Sequence, residues 1–225
     1  MKRMLLILTC LVFAVSAQAG VIQDIQNGLI PANSMVTFPA IVTASAYQGV
    51  CVAEAPFGAY CSIWVYLGPG HGLVAGDVVD VYGEYYEYNG LSEVDCTGTG
   101  STCTVTGTDT PPAPVVMTAA AVMADPEPWA SVVITISDAL EVTELLSYNE
   151  WMTTSLTDGT EIWFDDEYFY PAHPWVVGDC FSNATGFWTY SFGAYKLAGF
   201  VDGLPPCGPV AAEDLTFGTV KALYR

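Results

Sequence analysis

Short runs of alternating apolar and polar positions recur along the whole chain. Such alternation predicts β-strands with one face in a core and the other in solvent. Runs of this kind include residues 36–42, 62–66, 78–82, 131–136 and 160–164. Helical periodicity is scarce: residues 117–124, which are followed by an Asp-Pro pair, and residues 210–223 are the best helix candidates. The pattern therefore predicts an all-β protein.

The same order of motifs occurs twice, about 100 residues apart. Each copy has an apolar strand with a tryptophan, a Gly-Asp turn, a strand ending in glycine and an aromatic strand. A proline-rich joint at residues 108–114 separates the copies. About five strands per copy suit a small Greek-key barrel, while a β-sandwich stays open from strand count alone. The predicted divisions are a signal peptide, 1–19, an OB-like barrel, 20–110, a second OB-like barrel, 111–206, and a C-terminal tail, 207–225.

Both copies resemble the OB-fold modules attached to secreted bacterial nucleases. In the first copy the matching residues are 36–43, 60–66, 76–77 and 89–93. In the second copy they are 125–129, 131–134, 158–159, 164–166, 178–179 and 195–197. The resemblance implies two tandem OB folds and an accessory role, because the nuclease activity of such proteins lies in a separate domain that this chain lacks. It implies nucleic-acid binding only indirectly, since a fold does not fix a function.

The first 19 residues predict a secretory signal peptide. Lys2 and Arg3 precede a short apolar run, and an Ala-x-Ala exit ends at Ala19. We expect the protein to be secreted, periplasmic or on the cell surface, with no transmembrane segment after cleavage. Cleavage would leave three basic residues against 24 acidic ones, a net charge of −21. Because nucleic-acid affinity rests largely on Lys and Arg, this charge argues against a nucleic-acid partner.

Seven cysteines become six once the leader is removed, and an even number in an exported chain predicts disulfides. Six cysteines allow fifteen pairings. Proximity in sequence favours Cys51–Cys61, Cys96–Cys103 and Cys180–Cys207. A metal site is the alternative, but no Cys-x-x-Cys or Cys/His cluster supports it.

Signatures of enzymes are scarce. The chain contains no nucleophile elbow, zinc-protease helix, P-loop or dinucleotide-binding glycine pattern. Its two histidines, His71 and His173, lie in turn-like sequences at positions that do not correspond between the copies. We therefore predict a non-catalytic protein, with a hydrolase as the alternative.

One acidic run could hold a metal. Asp165, Asp166 and Glu167 follow a predicted strand, and Ca²⁺ prefers such oxygen ligands. Consecutive side chains of an extended strand point to opposite faces, so a turn would be needed to bring all three to one ion. A solvated acidic loop is the alternative. No other cofactor is expected.

Aromatic strands supply the ligand-binding candidates. They are Tyr86 and Tyr88 in the first copy and Trp188, Tyr190 and Phe192 in the second. Alternation places Trp188, Tyr190 and Phe192 on one face, where exposed rings could stack on sugars or bases, although the same rings could instead fill a barrel core. We predict an exported binding or scaffold protein that contacts carbohydrate or protein surfaces through aromatic and acidic faces. The alternative is a nucleic-acid-binding accessory protein.

Overall fold

The protein is an all-β chain of two closed five-stranded barrels in tandem, seen here in a computed structural model that describes residues 20–165, 175–199 and 207. The strands of the first barrel are β1 (Ser34–Ser45), β2 (Gly49–Ala53), β3 (Ser62–Tyr66), β4 (Asp77–Tyr88) and β5 (Leu91–Asp95), and β6 (Thr102–Thr108) lies outside it. A further strand, β7 (Val115–Met117), precedes the second barrel, whose strands are β8 (Val133–Leu145), β9 (Trp151–Ser155), β10 (Glu161–Asp165), β11 (Cys180–Ser191) and β12 (Ala194–Gly199).

Both barrels have the same strand order. The first runs β1-β2-β3-β5-β4 and closes through the pairing of β4 with β1, while β6 adds to the outside of β4. The second runs β8-β9-β10-β12-β11 and closes through the pairing of β11 with β8, while β7 adds to β8. In each barrel the third and fifth strands are parallel and all other neighbours within the barrel are antiparallel. The duplicated motif order is therefore a duplicated OB-like topology. The boundary at residue 110 stays a prediction, although the two sheets fall on either side of residues 109–114.

Helices are short. Helix α1 (Val21–Gln26) buries two isoleucines in the core of the first barrel. Helix α2 (Ala119–Ala124) lies within the predicted helix 117–124 and begins after Thr118, whose hydroxyl oxygen accepts a hydrogen bond from the backbone N–H of Ala121. The predicted helix at residues 210–223 lies outside the described residues. No helix in the described part of the chain is long and apolar enough to cross a membrane.

A third cluster of buried side chains joins the two barrels. It contains Cys51, Trp64 and Leu91 from the first barrel and Phe187 and Ala198 from the second. Hydrogen bonds reinforce the junction: the Ser62 hydroxyl donates to the Ser131 carbonyl at 2.7 Å, and the Tyr60 N–H donates to the Pro128 carbonyl at 2.7 Å. Because this contact buries apolar side chains and satisfies polar groups, the barrels pack on each other directly.

Of the three predicted disulfides, Cys180–Cys207 is confirmed. Cys51 and Cys61 are not bonded, and the strand register explains why: Cys51 lies opposite Trp64, three positions beyond Cys61 along the chain. The two thiols also face different surroundings, the interbarrel cluster for Cys51 and the core of the second barrel for Cys61.

The predicted Cys96–Cys103 bond is also not formed. Cys103 lies opposite Val81 in the β4–β6 ladder, and both thiols pack against the core of the first barrel. Burial raises the pKa of Cys96 to about 12 and that of Cys103 to about 11. Both side chains are therefore neutral thiols at physiological pH.

Candidate ligand site

A groove of about 340 Å³ lies where the first barrel meets the hairpin formed by β11 and β12. We call it the interbarrel groove. In OB folds the face of the second and third strands, together with the loops after the first and fourth strands, commonly binds oligonucleotides and oligosaccharides. The interbarrel groove shares with that face the third strand and both of these turns, through Trp64 and Tyr66 on β3, Gln48 after β1 and Asn89 after β4. Its lining residues are Gln48, Trp64, Tyr66, Tyr86, Tyr88, Asn89, Leu91, Glu93, Thr189, Tyr190, Ser191 and Phe192.

Strand β4 supplies one wall of the interbarrel groove. Tyr86 and Tyr88 are two residues apart and so share a face of the strand, with ring centroids 6.4 Å apart and nearly perpendicular planes. Tyr88 is 57% exposed and Tyr86 is partly buried. The two tyrosines therefore offer an aromatic surface that a ligand can reach.

Glu93 on β5 lies directly opposite Tyr86 in the β4–β5 ladder. The Tyr86 hydroxyl donates a hydrogen bond to Glu93 Oε1 at 2.8 Å. Burial and this carboxylate together raise the pKa of Tyr86 well above its usual range, so the phenol remains protonated and continues to donate. The Glu93 side chain is buried, which places a carboxylate in the groove wall among aromatic rings.

The turn between β11 and β12 forms the opposite wall. Phe192 and Gly193 occupy the turn with φ values of 50° and 87°. A bulky side chain rarely adopts this left-handed conformation, which glycine and asparagine accept more readily. The turn after β4 in the first barrel shows the usual choice, Asn89-Gly90. Phe192 nevertheless occupies this left-handed position and is 83% exposed.

The two walls touch at Gly90 and Tyr190. A methyl group added to Gly90 would lie 2.6 Å from Tyr190 Cε1, closer than such atoms can approach. Glycine is therefore required for the tyrosine ring of the second barrel to rest on the turn after β4. Tyr190 also lines the interbarrel groove, so this contact lies beside it.

Four of the five predicted ligand-binding residues line this groove: Tyr86, Tyr88, Tyr190 and Phe192. Trp188 does not, because it is fully buried in the core of the second barrel and stacks on Tyr195, with centroids 6.0 Å apart. Beyond Trp188, four consecutive residues of β11 and the following turn line the groove, from Thr189 to Phe192, so the shared strand face did not give the three predicted rings the same surroundings. The role of all five residues in binding stays a prediction.

Sequence reasoning missed several lining residues. Trp64 and Tyr66 lie on β3, and Gln48 lies in the turn after β1. The first-copy motif contained Trp64, but only as a marker of the repeat. Its topological position could have pointed to the site, because the third strand of an OB barrel belongs to the usual ligand face.

Of the three predicted metal ligands, the structure describes Asp165. Asp165 is buried and lies 3.3 Å from the Lys196 ammonium, so it belongs to an ion pair. Asp166 and Glu167 lie outside the described residues. Within residues 20–165, 175–199 and 207, no three His, Cys, Asp or Glu side chains group as a metal site. A Ca²⁺ site here stays a prediction.

Of the two histidines predicted to lie in turns, the structure describes His71. His71 caps its own loop: Nε2 lies 2.8 Å from the Ala46 carbonyl oxygen, and the Leu73 N–H donates to Nδ1 at 3.1 Å. Nδ1 therefore accepts, and Nε2 carries the proton that it donates to Ala46. His173 lies outside the described residues.

No protein-family model matches the chain, and no curated protein matches it in sequence. Several solved structures are similar in fold. The Ifi202 HINa domain in complex with 20-base-pair double-stranded DNA is 12% identical, with a TM-score of 0.38, over 73% of this chain and 93% of that one. A structure described as structural mimicry for functional antagonism is 12% identical, with a TM-score of 0.40, over 76% of this chain and 96% of that one.

These similarities concern tandem small barrels, and none links the chain to secreted nucleases. The sequence-based argument against a nucleic-acid partner is wrong, because one of the similar structures is itself a complex with double-stranded DNA. Net charge alone therefore does not rule out nucleic acid.

Proposed function

We propose that this protein is an exported, non-catalytic binding protein that holds its ligand in the interbarrel groove. One observation carries the proposal: aromatic side chains from both barrels converge on this groove. They are Trp64, Tyr66, Tyr86, Tyr88, Tyr190 and Phe192. Flat rings favour ligands that present an apolar face, and the amides and carboxylate beside them accept or donate hydrogen bonds. Protein side chains and sugar rings both have this chemistry.

Two features support export. The leader pattern of residues 1–19 is typical of signal peptides. The Cys180–Cys207 disulfide suits the oxidising compartments outside the cytoplasm.

A binding screen with matched variants tests the proposed site. The mature protein would be screened against a glycan array and against extracytoplasmic proteins captured from the source of the chain. We expect Tyr88→Ala and Phe192→Ala to weaken any specific binding about 5-fold or more, since each removes an exposed ring that the ligand would cover. Tyr82→Ala is the control: Tyr82 is also exposed on β4 but lies outside the groove. Equal effects of all three variants, or none, would contradict the site.

Single-stranded nucleic acid is the second candidate, favoured by the overlap of the groove with the ligand face of an OB-like barrel. Bases stack on exposed aromatics, at about 1–3 kcal/mol per base. Among the described residues the one Lys or Arg is Lys196, which is buried, so bases rather than phosphates would make the contacts. Labelled single-stranded DNA, measured by fluorescence anisotropy with and without Ca²⁺, should then bind with a shallow salt dependence and lose affinity in Tyr88→Ala.

A further inference from the structure

Helix α1 begins beside the carboxylate of Glu54. This residue directly follows β2, and its backbone N–H donates to the Cys61 carbonyl oxygen at 3.0 Å. Its Oε2 accepts a hydrogen bond from the Ile22 N–H at 2.7 Å, and the Val21 N–H is a second donor to the carboxylate. The Glu54 side chain therefore holds the start of α1 against the first barrel.

Gly20 lies directly against the same carboxylate. A methyl group added to Gly20 would collide with Glu54 Oε2, so glycine permits the close approach. Standard bond lengths then place the backbone nitrogen of Gly20 within about 5 Å of Oε2. The Gly20 carbonyl oxygen accepts from the Asp24 N–H at 3.0 Å, which fixes residue 20 at the end of the helix.

Helix α1 is itself anchored in the first barrel. Ile22 and Ile25 are buried in its core, and Gln26 Nε2 donates to the Ser62 carbonyl oxygen at 2.8 Å. The position of Gly20 next to Glu54 is therefore set by the packing of the barrel and not by a loose end of the chain.

Within residues 20–165, 175–199 and 207, no Lys or Arg faces Glu54. The one such residue there is Lys196, which pairs with Glu150 and Asp165 in the second barrel. Burial is the largest cause that raises the pKa of Glu54, and the nearby carboxylate of Asp24 raises it further, against the lowering by the backbone hydrogen bonds. This half-buried carboxylate therefore has no countercharge from those residues while a peptide bond joins Gly20 to Ala19.

We infer that removal of the leader supplies this countercharge, because the new α-ammonium group of Gly20 pairs with the Glu54 carboxylate. The inference rests on export, the part of the proposed function that the leader pattern supports. A signal peptidase would hydrolyse the Ala19–Gly20 bond: one water is consumed, Ala19 leaves as a carboxylate, and the Gly20 amine takes up the proton. An α-amino group is largely protonated at neutral pH. A carboxylate accepts about four hydrogen bonds, so the two backbone donors leave sites for the ammonium.

Such an ion pair stabilises the processed chain and not its precursor. Because α1 carries two side chains of the first-barrel core, a tighter hold on its first residue stabilises that barrel. Leader cleavage would then complete the fold after export.

Urea unfolding of two chains tests the inference. One begins at Gly20 and the other at Ala17, each released from a fusion protein by a protease that leaves no extra residue. The three additional residues restore the peptide bond at Gly20 and allow the ammonium to move about 10 Å away. We expect the equilibrium constant of unfolding at pH 7 to be about 3- to 10-fold higher in the longer chain.

Two variants of both chains identify the partner. Glu54→Gln keeps an acceptor for the backbone N–H groups and removes the charge, so the two chains should then differ by less than about 2-fold. Asp80→Asn is the matched control, since it removes an exposed carboxylate on β4, and the full difference should remain.

Carbon-13 NMR of the side-chain carboxyl groups gives a readout that a purely steric effect of the extension would not produce. We expect the pKa of Glu54 to be lower in the chain that begins at Gly20 than in the chain that begins at Ala17, because a nearby positive charge favours the carboxylate. The pKa of Asp80 should be the same in both chains.

Equal stability of the two chains with an equal pKa of Glu54, or an undiminished difference in Glu54→Gln, would overturn the inference. Mass spectrometry of the full chain, expressed with its leader in a secreting host, separates this failure from that of the proposed function. A terminus at Gly20 without coupling to Glu54 overturns the ion pair alone and leaves export supported. A chain that keeps its leader overturns export, and the inference falls with it.

Discussion

Trp64 of the first barrel and Phe187 of the second stack on each other, with ring centroids 5.8 Å apart and planes 20° apart. Trp64 also lines the interbarrel groove. The ring contact that joins the barrels is therefore continuous with the candidate ligand site. Packing between the barrels and the shape of the groove should change together.

Truncating Phe187 tests this link. We expect Phe187→Ala to lower the free energy of unfolding by about 3–5 kcal/mol, because it leaves a cavity between the barrels. It should also expose residues 109–114 to protease under native conditions. Phe181→Ala is the matched control, since Phe181 packs edge-on against Phe164 inside the second barrel. Equal cleavage of residues 109–114 in both variants would show that Phe187 has no special role in joining the barrels.

A second prediction about the contact between the barrels concerns Gly90. Gly90→Ala should destabilise the protein more than Gly100→Ala, although both glycines have φ near 90°. Each variant incurs about 1 kcal/mol of backbone strain, but only at Gly90 would the new methyl group meet Tyr190. We expect an additional loss of about 1–3 kcal/mol in urea unfolding. Equal losses would mean that Tyr190 moves aside freely.

The sequence predicted the repeated β topology because the strands that carry it are short and locally patterned. Residues 62–66 are a strand in the structure with the bounds that alternation indicated. The additional strand β6 was not among the predicted strands, because it is largely exposed and its threonine-rich sequence has little apolar character. The interbarrel groove could not be predicted in full, since it depends on how one barrel packs on the other.

The surroundings of Lys196 could not be predicted from the sequence either. Its partners Glu150 and Asp165 are 46 and 31 positions away in sequence. Asp165 meets it when β10 pairs in parallel with β12, and Glu150, just before β9, when β9 pairs with β10. The sequence alone therefore indicated Asp165 as a candidate metal ligand, whereas in the fold it forms an ion pair with Lys196.

Replacing this lysine should be costly. We expect Lys196→Met to lower the free energy of unfolding by about 3–5 kcal/mol, because Asp165 and Glu150 would lose the ammonium that compensates their partly or fully buried charges. The triple variant Lys196→Met, Asp165→Asn, Glu150→Gln should recover much of this loss. Urea unfolding of wild type, single and triple variants measures both effects. A triple variant as unstable as the single one would show that packing, rather than charge, sets the cost.

The Cys180–Cys207 disulfide connects β11 to the chain beyond β12 across 27 residues of sequence. In the chain-entropy model a loop of this length contributes about 3–4 kcal/mol. We expect the Cys180→Ser, Cys207→Ser double variant to lose that much in urea unfolding under oxidising conditions. The Cys96→Ser, Cys103→Ser double variant is the control, because those thiols are unbonded. A similar loss in the control would indicate that the Cys96–Cys103 bond forms in solution.

Glu127 should make the stability of the protein depend on pH. Partial desolvation of this exposed residue's carboxyl, followed by the nearby charges of Glu87 and Asp125, raises its pKa above the usual value of 4.5. Because the folded state then binds the proton more tightly than the unfolded state, stability falls as pH rises from 4.5 through the folded-state pKa. Glu127→Gln removes this loss and keeps an oxygen that can accept the hydrogen bond from Tyr195.

The variant should therefore be more stable than wild type at pH 7, and the difference should shrink as the pH is lowered toward 4.5. Thermal unfolding across this range measures it, and Glu161→Gln, at an exposed position on β10, is the control. A difference that stays constant with pH would assign the effect to packing. A variant that is less stable than wild type at pH 7, with a deficit that shrinks as the pH falls, would mean that Glu127 is stabilised as a carboxylate, with a pKa shifted in the opposite direction.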